Sequence, residues 1–254
     1  MLSVLTMTTR AKPLPIRHHL AMKSAIQRTF SRGAAAFFMA TLFMQGEPSQ
    51  AAETAAPPAT PPMAPAGQYQ LDKSHASLVL RVNHMGFSTY TTRFSRFDAQ
   101  LTFDPSNIPA SKVATTIDAS SFEMDAAPQA CIDIVKGAQM LDSVKFPQIV
   151  FKSERVRMTG AKSMTISGTL TLHGVTRPLN LTATFNGGYP GMANVDPHAR
   201  VGFSAHGSFK RSDFGMAFGV PAPGTTMGVG DLVDFSIEAE FSGPALASAA
   251  AETH

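Results

Sequence analysis

The 254-residue chain has no tryptophan, three tyrosines and a single cysteine, Cys131. A lone cysteine excludes an internal disulfide, and its expected place is that of a small buried hydrophobe. Charged residues are also scarce, at 15% against 44% hydrophobic, which excludes an intrinsically disordered chain. Long apolar runs are missing too: the uncharged stretch 33–44 is too short to span a bilayer as a helix. What is present is enough apolar sequence to build a globular core at this length. The formal charge of +3 hints at nucleic acid until it is divided along the chain. Of 21 basic and 18 acidic residues, six basic ones and only Glu47 fall in residues 1–51, leaving 15 basic against 17 acidic in the rest. The body therefore lacks the basic stripe that phosphate neutralisation requires, and nucleic acid is dropped as a partner.

Residues 1–51 have the layout of a secretory signal peptide: Arg17, Lys23, Arg28 and Arg32, then the apolar stretch, then Ser49 and Ala51 as small residues before a cleavage point. The basic part is long, and a start at Met22 gives a conventional length. A permanent signal anchor is the rival, disfavoured by the short apolar run. Arg28 and Arg32 are not adjacent, which argues against a twin-arginine signal. Export and a periplasmic location follow as expectations. Residues 52–67, nearly all Ala, Pro and Thr, form a linker, and 244–254 an Ala/Ser-rich tail.

Between them, residues 68–243 alternate with period two, which places successive side chains on opposite faces of a sheet. Leu78, Leu80 and Val82 begin the pattern, followed by Phe97, Ala99, Leu101 and Phe103. Phe94 falls out of phase with the second set, predicting a bend around Ser95 and Arg96. The alternation continues through Met164 to Leu172, Leu179 to Phe185, Val201 to Phe209 and Val233 to Phe241. With 113–119 and 149–156, about eight strands are expected. Turn residues separate them, such as Asp104-Pro105, His173-Gly174 and Asn186-Gly187-Gly188. One stretch, 127–141, has Ile132, Val135, Met140 and Leu141 at roughly helical spacing. The fold class is all-β: an antiparallel meander with one short helical segment, closing into an eight-stranded barrel that removes exposed edges. Its interior, rich in Phe and Met and without acidic residues, is either a packed core or a dry space for one apolar ligand. Ala99, Gly168, Ala183, Ala205 and Gly207 are small inward positions that leave volume for their neighbours or for a ligand.

Four ordered motifs carry a resemblance. They are Tyr69-Gln70-Leu71-Asp72-Lys73-Ser74-His75 with Val82-Asn83-His84-Met85-Gly86-Phe87, then Gly168 to Leu179 around His173-Gly174-Val175-Thr176-Arg177-Pro178, then Phe203 to Met216 around Phe209-Lys210-Arg211-Ser212-Asp213-Phe214-Gly215, and finally Val229-Gly230-Asp231 with the closing strand. From Tyr69 to Ser242 the chain resembles the YceI-like family of bacterial lipocalin-like proteins. That resemblance implies an exported protein whose elongated barrel encloses a long apolar chain, such as a polyisoprenoid, a quinone-type tail or a fatty amide, with no catalytic residues and no cofactor. Transient contact with the inner membrane or its proteins and a homodimer are compatible with it. The chain departs from the family at Cys131, Ile132, Asp133, Ile134 and Val135, where a charged stretch is usual, and at Met140, where an aromatic is expected. The departure points to a different or greasier ligand.

The residues expected to wall the cavity are Phe87, Phe94, Phe97, Met140, Leu141, Phe146, Phe151, Phe203, Phe209, Phe214 and Phe218. Arg177, Arg211 and Asp213, at strand ends, are candidates to meet a polar group at the mouth. His75, His84, His173 and His206 lack the spacing of a metal site. Ser204, His206 and Ser208 share one face of a strand opposite Phe203, so a hydrolytic site is disfavoured, and the chain lacks a Gly-x-Ser-x-Gly elbow. The competing function is a fully packed barrel that meets protein partners through loops 189–197 or 218–230.

Overall fold

The structure, a computed structural model, describes residues 63–246; the expected signal peptide, most of the linker and the end of the tail lie outside them. Ten antiparallel strands form one sheet. They are β1 (Gly67–His84), β2 (Ser88–Phe94), β3 (Phe97–Phe103), β4 (Lys112–Asp118), β5 (Phe122–Glu123), β6 (Gln148–Met158), β7 (Ser163–Leu172), β8 (Val175–Tyr189), β9 (His198–Lys210) and β10 (Val229–Ala245). Helix α1 spans Gln129–Lys136.

Ten strands make eight staves because two staves are broken. The first half of β1 pairs with β3 (Gln70 with Gln100) and its second half with β2 (Leu78 with Phe94), so β2 and β3 are one stave bent at Ser95-Arg96, as the phase slip at Phe94 predicted. The bend is held by Ser121, which is 2% exposed: its hydroxyl accepts from the Arg96 N–H and donates to the Asp118 carbonyl. Ser121 ends the 3-10 turn that splits β4 from β5 in the same way. Pairing of β10 with β1 closes the ring, Leu78 opposite Ile237. The closed eight-stave antiparallel barrel is thus the expected fold, with the second strand, β2, absent from the alternation because its turn-proximal half is polar.

The helix is shorter than the 127–141 expected. It ends at Lys136, and residues up to 147 continue as tight turns, with Leu141 and Asp142 donating their N–H groups back to Val135 and Gly137. None of its residues is buried. Cys131 is among them: its side chain is exposed, contrary to the buried place expected, because α1 lies across a barrel end instead of packing into a core.

Strand direction sorts the loops onto two ends. One end gathers the start of β1, the end of β10 and the 104–111 and 190–197 connections. The other gathers the 85–87 turn, α1, the His173-Gly174 turn and the long connection 211–228. Met85 and Gly86, with φ of 55° and 72°, form the two-residue turn whose right-handed twist suits a hairpin.

Candidate ligand-binding lumen

The barrel encloses a space of about 670 Å³ lined almost wholly by carbon. Its floor is aromatic. Phe103 on β3 and Phe185 on β8 come from opposite staves and stack across the axis, ring centroids 5.8 Å apart and planes 29° apart. Phe203 packs against both, at 6.1 and 5.3 Å, and Phe241 sets its edge against Phe203. Beneath lies Tyr69, edge-on to Phe103, its hydroxyl donating to the Pro65 carbonyl at 2.7 Å. Burial pushes the Tyr69 phenol above its ordinary value. Ala64, from the end of the Ala/Pro stretch, is 1% exposed and packs into the same cluster. With the Tyr69 hydroxyl already bonded, the ring stack itself offers nothing to a polar ligand atom, and Ser111 at its side already accepts from the Asp104 N–H.

Higher up, the small inward positions do not widen the lumen as much as their size suggests. The Phe151 ring lies where a Gly168 Cβ would sit, 2.8 Å from it, and the Phe235 ring occupies the same place over Gly207 at 2.7 Å. Each aromatic therefore lies flat along the wall, and the axis stays open. Ala183 and Ala205, paired across β8 and β9 directly above Phe185 and Phe203, do leave room.

The mouth is at the α1 end. Phe218 lines it while 48% exposed, and Cys131, Ile134 and Val135 of α1 line the opposite side. Arg211 shapes the rim. It is 3% exposed and has no carboxylate in contact; its guanidinium donates to the carbonyls of Gly230 (2.9 Å), Met216, Phe218 and Val229 (2.7 Å each). Burial holds its pKa below the usual guanidinium value, with the Asp231 charge opposing. Four backbone carbonyls from both stems of the 215–229 connection are thereby gathered on one planar fork.

Of the residues expected on the wall, Phe94, Phe97, Met140, Leu141, Phe151, Phe203, Phe209 and Phe218 line the lumen, and Arg211 reaches its rim. Five stand elsewhere. Phe87 is 80% exposed, thrown outward by the tight turn before it. Phe146 covers the His173-Gly174 turn from outside, its centroid 5.1 Å from the His173 ring and its edge filling the space a Gly174 Cβ would need. Phe214 is 2% exposed but packs behind Phe209, alongside the first half of β8, where the β9 ladder has not begun. Arg177 is exposed and donates to the Asp213 backbone carbonyl, so Asp213 contributes its main chain and not its carboxylate. Arg211 itself has nearly all its donors committed to the fold, which corrects the expectation that it stands free for a head group.

Much of the wall is aliphatic: Leu80, Val113, Ile117, Ile149, Met164, Leu170, Leu181 and Ile237 all face the lumen. Most of them fall on the alternating apolar positions of their strands, which the period-two pattern marks. Tyr90, Thr92 and the 124–128 segment, also lining it, had no periodicity to reveal them.

On the outer face, Ser204 accepts from Asn186 and donates to Glu238, leaving His206 exposed beside it with no convergence on a nucleophile. Among the described residues no three His, Cys, Asp or Glu side chains gather as a metal site would require.

Comparison with known proteins agrees with this architecture. The family model of the YceI-like domain matches residues 69–241. A UPF0312 protein of Vibrio cholerae is 32% identical over 179 residues, covering 69% of this chain and 87% of its own length. A UPF0312 protein of Pseudomonas putida is 35% identical over 177 residues, covering 68% and 86%. Among solved structures, BcnA of Burkholderia cenocepacia superposes with a TM-score of 0.56 at 23% identity, covering 67% of this chain and 98% of its own. A domain of Saccharophagus degradans described as polyisoprenoid binding, and implicated in plant cell wall breakdown, gives a TM-score of 0.51 at 13% identity, covering 69% and 98%. At these identities the two structures share the fold.

Proposed function

Since the chain belongs to the YceI-like family, we propose that it is a lipid-binding protein that takes a long apolar chain, polyisoprenoid, quinone-type or fatty amide, into its barrel and holds it away from water. The observation that carries this reading is the lumen: about 670 Å³ of carbon-lined space, floored by aromatics and open at one end. Water gains little in such a space, whereas a hydrocarbon chain gains roughly 25 cal/mol for each Å² it removes from water. The structural neighbour described as polyisoprenoid binding supports the same ligand class. An open lumen also weighs against the fully packed barrel acting only through partners.

We further propose that the protein is exported and works in the periplasm, on the strength of the basic-then-apolar leader in residues 1–51. Loading from a membrane surface fits the rim, where Phe87, Ile134, Val144, Phe218 and Met227 are all about half exposed or more. The decisive experiment is native mass spectrometry of the protein from its own host, followed by lipid extraction. A stoichiometric adduct that extracts as a prenyl or acyl chain establishes the reading. A protein that is empty, and stays empty after incubation with host lipids, overturns it.

A further inference from the structure

The lumen has a definite depth, measured along the strand that closes the ring. From Val229 at the mouth to Ala239, level with Phe203, β10 advances ten residues. At ~3.4 Å per residue and a strand tilt of 35–45°, that is about 25 Å along the barrel axis. An extended chain advances about 1.2 Å per main-chain bond, as a peptide does, so ~20 bonds fit.

The stop at the far end is Phe103, which lines the lumen with Phe203 and is backed by the Phe185 ring. Because Phe103 and Phe185 project from opposite staves and stack across the axis, a chain tip arriving from the mouth abuts Phe103 instead of sliding past. Directly above, the Ala183–Ala205 pair leaves the last layer wide enough for a methyl-branched tip. The rings at the stop suit the apolar end of a chain, since the Tyr69 hydroxyl under them is already bonded to Pro65 and the Ser111 hydroxyl to the Asp104 N–H. A polar end stays at the mouth.

We propose that the Phe103–Phe185–Phe203 floor is a chain-length gauge: the protein inserts a chain tail first and accommodates about four to five isoprene units, with anything longer left outside the mouth. This rests on the lipid-binding reading above and adds to it a size limit and the residues that set it.

The test is the affinity of the whole protein, stripped of lipid, for detergent-dispersed prenols of two, three, four, six and eight isoprene units. Each unit that enters should tighten binding at least about tenfold, since one buried methylene alone gives about fourfold, and the gain should stop between four and six units. In Phe103→Leu the break should move to longer prenols. In Ala205→Leu, which fills the layer above the floor without opening a cavity, it should move to shorter ones. The two opposite shifts guard against a variant that simply folds poorly. Affinity that keeps rising through eight units, or a break that stays in place in both folded variants, overturns the gauge while leaving lipid binding intact. Failure to bind a prenol of any length overturns both.

Discussion

The Phe235 ring rests on Gly207, its direct partner on the neighbouring strand, at a distance where a Cβ on residue 207 would collide with the ring edge. The glycine thus parks a large side chain against the wall. In Gly207→Ala the ring must swing toward the axis or the strands must part. Overpacking of this kind costs about 1–3 kcal/mol. The expected outcome is a lower unfolding midpoint in urea together with weaker uptake of a four-unit prenol. Unchanged uptake would show that the ring has another place to go.

Arg211 gathers four carbonyls, and its removal leaves them buried without donors. Arg211→Met should destabilise the barrel by about 3 kcal/mol or more, at ~1–3 kcal/mol for each unsatisfied buried group. Lysine should not rescue it, because an ammonium cannot present a planar fork. Hydrogen exchange should accelerate across residues 215–229 before the strands exchange. A variant as stable as the parent would mean the carbonyls find water instead.

Arg200 bridges two carboxylates at the closed end, Asp72 at 2.5 Å and Asp196 at 2.7 Å. The Ser74 hydroxyl, Arg200 and His75 hold Asp72 far below the ordinary carboxylate range; Arg200 does the same, less strongly, for Asp196. A carboxyl whose pKa is lower folded than unfolded contributes stability that is complete above its unfolded pKa, about 3.9, and lost as pH falls through the folded value. Thermal midpoints should therefore be level from pH 7 to about 5 and fall below about 4. The fall should be shallower in Asp72→Asn. Equal slopes in the two proteins would remove Asp72 from the acid response.

Cys131 is exposed on α1 and also borders the mouth. The native protein should titrate one thiol with a small aromatic disulfide reagent, without denaturant, and lipid loading should slow that reaction several-fold. A thiol that reacts only after unfolding would contradict the position of α1.

The barrel was legible in the sequence because period two survives wherever one face of a strand meets apolar surroundings and the other meets water. Val233 to Phe241 and Met164 to Leu172 show it plainly. The pattern could not say whether the inward residues meet one another. That depends on ring orientation, and Phe151 over Gly168 looks the same in sequence whether the ring lies flat or points at the axis. Aromatic type does not mark the wall where a turn governs direction: Phe87 and Phe146 belong to connections, which carry no parity. Phe103 was assigned an inward face, but its partner across the axis, Phe185, lies 82 residues away and no local pattern joins them. The burial of Arg211 is not legible locally, because a strand-end arginine ordinarily faces water, and only the path of the following connection turns four carbonyls toward it.

The barrel is entered and left at the same end. Gly67 touches Pro244, and both lie beneath the aromatic floor, on the far side from α1. Whatever is joined to this domain through either terminus, a bead, a fluorescent reporter or a second domain, is therefore attached at the bottom of the cup, at the end opposite its opening.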